Sequence, residues 1–400
     1  MSLRSVLRRV SWTVPVSGPY RTRGGASMSF SEQDSSRREC PMVVPKEEVV
    51  RFIEECMKKA GTSPVDSRVV AHHLMVADYR GHFSHGMNRM QMYVRDIEKR
   101  VTDPKARPKI LTDFMAIGLV DGENALGQVV GKECMELAIK KAKDYGIGMV
   151  VARGSNHYGI CGYYTMMAIE EGMIGFTCTN TSPLMAPTRS KKAALGTNPL
   201  SLGMGGATAS DKFILDMATT TVALGKVELA NRKGQAIPAN WAMDLNGRGT
   251  TDPAEGLKAN LLFPLGGEES SSGYKGYGLA TMVEVLSGVL AGANFGPNIR
   301  SWKGEDRIAN LGQCFMAIDP NAFGPGSHER LSQLLNQLRS LPKSGEKPVM
   351  VAGDPEELAM RKVDQEGGIS YHPNQIRDSA EFALKIGVEP MKLCPVKKPD

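Results

Sequence analysis

The chain has 400 residues and a formal net charge of +6. Residues 1–29 carry Arg4, Arg8, Arg9, Arg21 and Arg23 without one acidic residue, which accounts for +5 and leaves the remainder near +1. No basic face for nucleic acid is implied, no apolar run reaches the roughly 18 residues of a membrane span, and the seven cysteines include no C-x-x-C pair suggesting a zinc ribbon, a redox dithiol or a disulfide scaffold.

The arginine-rich segment is also rich in Ser and sets Leu3, Val6, Leu7 and Val10 at helical spacing. That is the composition of an organellar leader, so residues 1–29 predict import into the mitochondrial matrix. A cytoplasmic chain starting at Met28 is the alternative.

Pro45, Glu47 and Glu48 open the first helix, with Val49, Val50, Ile53 and Met57 as its apolar face and Gly61 at its end. A second helix follows Ser63-Pro64. It carries His72 and His73, which point about 100° apart and cannot form a one-face metal pair. After Arg80 to Gly86 a third helix is predicted from His85, with Ser84 as its N-cap. His85, Arg89 and Tyr93 then follow at steps of four along one face, beside a helix N-terminus that favours anions. A carboxylate clamped by Arg89 fits that arrangement, and an Arg lying over the helix with His as a cap is the alternative. His82 and His85 have no evident third ligand, so no metal site is expected.

Short strand-like runs occupy Ile110 to Leu126, and Gly131 to Tyr145 reads as an amphipathic helix. The run Gly148 to Ala152 is a buried strand that leaves at Gly154-Ser155-Asn156 and meets His157 at a strand-to-helix turn. Imidazole titrates nearest neutrality, and such turns are where α/β folds place ligands. Cys161, four residues on, raises the alternative of a Cys/His nucleophilic pair, and a locally bonded turn histidine is the bland reading. Met173 to Asn180 is the next buried strand, so a sheet covered by helices is expected.

Asn180-Thr181-Ser182-Pro183 and Gly196-Thr197-Asn198-Pro199 are polar turns at strand ends, suited to ligand binding or to satisfying loop backbone. Asp216 is an isolated acid in an apolar strand, paired internally or facing a ligand hydroxyl. Gly273-Tyr274-Lys275-Gly276 precedes a long apolar helix and reads as a phosphate cradle. It is not a Walker A motif, and no G-x-G-x-x-G occurs, so a Rossmann dinucleotide site is unsupported. The last third reads as a strand over Gln313 to Asp319 and helices over Glu329–Arg339, Pro355–Glu366 and Pro373–Ile386.

Eight of these stretches occur together: SHGMNRMQMY at 84–93, GSNHYGICGYY at 154–164, NTSPLMAP at 180–187, GTNPLS at 196–201, LDMATTTVALGKV at 215–227, IPANWAMDLNG at 237–247, TTDP at 250–253 and GYKGYGLATMVEVLSG at 273–288. In that order and spacing the chain resembles the malate/L-lactate dehydrogenase type 2 family from about residue 45 to 390. The resemblance implies an α/β, non-Rossmann three-layer mixed sheet: a helical part at 40–115 completed by 300–400, and a cofactor-binding part at 116–299. It implies a nicotinamide cofactor, NAD with NADP as the alternative, a homodimer, and a small 2-hydroxy or 2-oxo acid of malate or lactate type as substrate. By the same resemblance His157 is the proton acceptor, and Ser84, His85, Arg89 and Tyr93 serve the substrate and nicotinamide. Thr181, Asp216, Met217, Ala218, Lys275 with Gly276, and Arg330 serve the cofactor. Some relatives place an acid where this chain has Ser182, which leaves open what orients His157. A cyclic imino acid or another α-hydroxy compound is the alternative substrate. A Cys/His hydrolase or a non-catalytic nucleotide-binding protein is the alternative outside the family.

Overall fold

Ser63 Oγ accepts a hydrogen bond from the Asp66 amide and Pro64 fills the first helical position, so the second helix starts where its own residues dictate. The protein is seen in a computed structural model that describes residues 42–302, 304 and 307–397. The helices are α1 (Lys46–Lys59), α2 (Pro64–Tyr79), α3 (Met90–Glu98), α4 (Gly127–Tyr145), α5 (Cys161–Glu170), α6 (Leu224–Lys233), α7 (Pro253–Ala259), α8 (Gly273–Glu284), α9 (Ser327–Arg339), α10 (Asp354–Glu366) and α11 (Pro373–Ile386). The central sheet comprises β1 (Lys109–Phe114), β2 (Ile117–Asp121), β3 (Ile147–Ser155), β4 (Ile174–Thr179), β5 (Leu200–Gly205), β6 (Lys212–Met217) and β7 (Leu311–Ile318).

Its strand order is β1-β2-β3-β7-β4-β5-β6. β2 and β3 are parallel, and the other pairings are antiparallel. β3 and β4 are joined through α5 and run the same way, yet they do not touch. β7 lies between them, antiparallel to both, with Phe315 opposite Val150 on one side and Thr177 on the other. A plain β-α-β alternation read from the sequence lacks this late insertion, because β7 lies far along the chain.

The period-2 geometry of these strands explains the three layers. Val150, Ala152, Phe315 and Ala317 pack against Cys134, Met135 and Ala138 of α4 and Tyr164 and Ala168 of α5. The alternate residues Val151, Cys178 and Cys314 pack on the opposite face against Val283 and Ala291. α8 therefore covers one side of the sheet, with α4 and α5 on the other. The N-terminal helices form a separate cluster with the C-terminal ones, in which Phe52, Ile53, Leu74, Met90 and Val94 share a core with Val363, Ile369, Tyr371 and Ala383. Burying each of the larger apolar side chains among them contributes about 1.5–3 kcal/mol.

The third predicted helix differs from its expectation. His82 to Gly86 form a turn, Met87–Arg89 a 3-10 turn, and the α-helix begins only at Met90. The amide of Met87 is taken by Asp78 Oδ2 at 2.9 Å, and that oxygen also accepts from the Tyr371 hydroxyl at 2.8 Å. The cap thus comes from α2 rather than from Ser84, whose Oγ sits 2.9 Å from its neighbour His85 Nδ1.

Candidate active site

The parallel strands β3 and β4 deliver their C-terminal ends to one place. There Asn156 to Ile160 and Asn180 to Leu184 leave the sheet, and a cavity of about 550 Å³ opens beside them. This is where open α/β sheets hold ligands. The 82–92 segment and the start of α6 close the other sides, and Ser84, His85, Arg89, His157, Thr181, Asp216, Met217 and Ala218 all line it.

His157 sits on the turn between β3 and α5. Its Nδ1 lies 2.7 Å from the Tyr93 hydroxyl, and its ring is stacked on His85 at 5.7 Å. Tyr93 therefore supplies the orienting contact that the sequence left open. Ser182 does not, since its Oγ donates to the Arg300 carbonyl at 2.7 Å. Burial pushes the His157 imidazole well below its ordinary value, and His85, Arg89 and His73 push it the same way. At neutral pH the ring is therefore neutral. Burial likewise lowers His85 to about 3, with help from Arg89. Tyr93 is pushed up by burial and stays a phenol.

Arg89 presents its guanidinium to the same cavity, with its carbon 5.2 Å from the Trp302 ring centre. Its Nε is buried without an acceptor, and no carboxylate pairs with it among the described residues. A half-desolvated guanidinium with no anion costs several kcal/mol that an incoming carboxylate would offset. Arg300 contrasts with it: buried in the same wall, it is already paired to Asp96 at 3.0 Å.

Asp216, next to last in β6, accepts at its Oδ2 from the Gly162 amide at 2.6 Å, in the first turn of α5. Its carboxyl is raised by burial, and that amide opposes the shift. The acid is bonded internally and also lines the cavity.

Three expected cofactor residues stand apart. Lys275 and Gly276 line a separate cavity of about 310 Å³ with Leu265 and Ser272. Gly276 is explained by packing, because a Cβ there would strike the backbone of Leu265. Arg330 bonds the Pro325 carbonyl at 2.9 Å and Ser327 Oγ at 3.1 Å, at the start of its own helix.

Sequence reasoning missed His73. It is wholly buried on α2, and its Nε2 accepts from the Ile160 amide at 3.0 Å, fixing the turn that carries His157. Accepting there leaves Nε2 without a proton, and burial holds the ring down to about 3. Gly159 lies against the same ring at φ +87, where any Cβ would collide with it. Its neighbour in the turn, Cys161, is no nucleophile. Its thiol lies 2.9 Å from the Tyr158 hydroxyl, and burial and the nearby Asp216 push it well above the usual thiol value.

Comparison with known proteins gives a consistent picture. The profile of the malate/L-lactate dehydrogenase family matches residues 44–378. A malate dehydrogenase of Pyrococcus horikoshii is 40% identical over 351 residues, covering 86% of this chain and 96% of that protein. An L-sulfolactate dehydrogenase of Methanocaldococcus jannaschii is 36% identical over 350 residues, covering 87% and 98%. The solved structure of the Pyrococcus horikoshii malate dehydrogenase superposes with a TM-score of 0.81 at 37% identity, covering 88% of this chain and 98% of that one.

These relatives correct the expected mitochondrial location. They are archaeal, and the family match begins at residue 44, beyond the arginine-rich segment on which that expectation rested. Residues 1–29 lie outside the described residues. A matrix location is not retained.

Proposed function

The chain belongs to the malate/L-lactate dehydrogenase family, a family of hydroxyacid dehydrogenases, and from that premise we propose that it interconverts a small 2-hydroxy acid and its 2-oxo acid with His157 as general acid/base. The observation that carries this reading is the pairing, in one cavity, of an uncompensated Arg89 with a neutral, oriented His157.

The substrate carboxylate binds the Arg89 guanidinium, and the hydroxyl at C2 is held by His157 Nε2, which has no protein partner among the described residues. For Nε2 to accept, Nδ1 carries the ring proton and donates to the Tyr93 oxygen. The Gly159 amide, 3.4 Å from Nδ1, competes only weakly with that tautomer. Nε2 then takes the hydroxyl proton, and the imidazolium returns it in the reverse direction. The hydride at C2 is the chemistry that a nicotinamide nucleotide, when bound, would supply or accept. The chain's own residues fit such a group: Ile160 and Leu184 offer apolar surface, Thr181, Ser182 and Thr197 offer hydroxyls, and Asp216 offers an acceptor for a ribose hydroxyl.

Lys226 lines the same cavity without an ion pair among the described residues, which favours a dianion such as malate or sulfolactate over lactate. The names of the two curated relatives agree with that preference. The functional unit is read as a homodimer, supported by the exposed apolar face of Met282, Val285, Val289 and Leu290.

The test is oxidation of NADH and of NADPH, followed by absorbance, with oxaloacetate, sulfopyruvate, pyruvate and a cyclic imino acid in turn. Turnover of the 2-oxo dianions is expected, and His157→Ala should lower kcat by roughly 10² to 10⁴. Turnover of the imino acid alone, or a fully active His157→Ala, rejects the reading.

A further inference from the structure

Behind the cavity wall a single carboxylate holds two amides. Glu284, the last residue of α8, is buried. Its Oε2 accepts from Asn180 Nδ2 and its Oε1 from Asn198 Nδ2, both at 3.0 Å. No cation pairs with it among the described residues, so the two asparagines are its partners.

Each asparagine passes this constraint to backbone at the cavity. Asn198 Oδ1 accepts from the Thr181 amide at 3.1 Å, and Asn180 Oδ1 accepts from the Gly312 amide at 3.0 Å. The second amide hydrogens are also placed, on the Ala280 and Asn294 carbonyls at 3.1 and 2.8 Å. Thr181 and Thr197, beside these asparagines, line the cavity. Immediately after Glu284 the helix widens into a π-turn over Val285–Val289, which seats Gly288 against Asn180 and Gly312. Such widened turns recur at functional sites.

The chemistry requires a carboxylate here. Two N–H donors converge on the side chain, so both of its outer atoms must accept. Glutamine would set its own N–H₂ against an asparagine donor, and aspartate is too short to span both turns. We propose that Glu284 is a positioning residue, which through Asn180 and Asn198 holds the 180–182 and 197–199 turns at the spacing that binds the nicotinamide nucleotide. This rests on reading the cavity as the nucleotide site.

The test uses the purified full chain and reads the dissociation constants of NADH and NADPH from quenching of tryptophan fluorescence, with kcat measured separately. Glu284→Gln should weaken the preferred nucleotide about tenfold, the scale of one lost hydrogen bond to a charged group, while kcat changes by less than about threefold. Asn198→Asp, which opposes two carboxylates, should weaken it further. The double variant Glu284→Gln with Asn198→Asp should bind more tightly than Asn198→Asp alone, because the new amide donates to the new carboxylate. Unchanged affinity in Glu284→Gln, or a double variant no better than Asn198→Asp, overturns the proposal. Should Glu284→Gln fail to fold, recovery of both fold and affinity on adding Asn198→Asp is required, and its absence overturns the proposal equally. A wild-type chain that binds neither nucleotide removes the underlying functional reading, and the clamp with it.

Discussion

The Tyr93 hydroxyl lies 2.7 Å from His157 Nδ1, joining α3 of the helical cluster to the turn that leaves the central sheet. A phenol can donate or accept, so it serves Nδ1 whether or not that nitrogen bears a proton. Tyr93→Phe removes the contact while keeping the buried ring. The expected result is a fall in kcat of about ten- to a hundredfold with substrate KM changed by less than about threefold. Steady-state kinetics decide it, and an unaltered kcat would remove Tyr93 from the reaction.

The depressed His157 value sets a pH dependence. Its cause is burial first, then the positive and imidazole neighbours, so the free enzyme holds the neutral base down to well below pH 6.5. For oxidation of the hydroxy acid, kcat/KM should therefore stay level through the ordinary histidine range and fall only in more acidic solution. A profile that bends near pH 6.5 would contradict the buried, neutral state.

Arg89→Lys keeps the charge and loses the planar fork. Substrate KM should rise about tenfold or more, with nucleotide affinity nearly unchanged, because a single ammonium cannot make two parallel bonds to one carboxylate. Equal weakening of both ligands would place Arg89 on the nucleotide instead.

Asp78 ties Tyr371 and the Met87 amide to one carboxyl oxygen, and its other oxygen is buried without a partner. Burial pushes this acid up to about 7, against about 3.9 in an unfolded chain. The folded state thus binds the extra proton between those values, and its contribution to stability, full below pH 3.9, is lost as pH rises through 7. Asp78→Asn should gain stability relative to wild type as pH goes from 4 to 8, by up to a few kcal/mol. Urea unfolding at both pH values measures it, and parallel pH dependence in the two proteins counts against a protonated Asp78.

Local chemistry made much of the site legible. His157 stands out as an imidazole at a strand-to-helix turn, Asp216 as an acid in an apolar strand, and Arg89 by its steps of four from His85 and to Tyr93. The three layers were implied by the family resemblance, and the packing agrees, with Val150 and Ala152 on one face of β3 and Val151 on the other. What escaped was set by distant residues. The cap at Met87 belongs to Asp78, on the preceding helix. The acceptor that fixes the His157 turn is His73, 87 positions before Ile160. Arg300, paired to Asp96 across 204 positions, carried no local signal that singled it out. A periodic pattern reports what one segment buries, and it carries no record of which far segment answers it.

The placement of β7 between β3 and β4 bears on how the protein is made. Until residue 318 has left the ribosome the two strands that carry the site, each paired only on its outer side to β2 or β5, cannot be joined to one another, and the helical cluster waits longer still, for Val363 to Ala383. The sheet's central pairings therefore form late and across long loops, the condition that slows folding and leaves strand edges exposed meanwhile. Synthesis of nearly the whole chain precedes any assembled cavity, so a truncated product ending before β7 would carry His157 on its turn without the closed cavity around it.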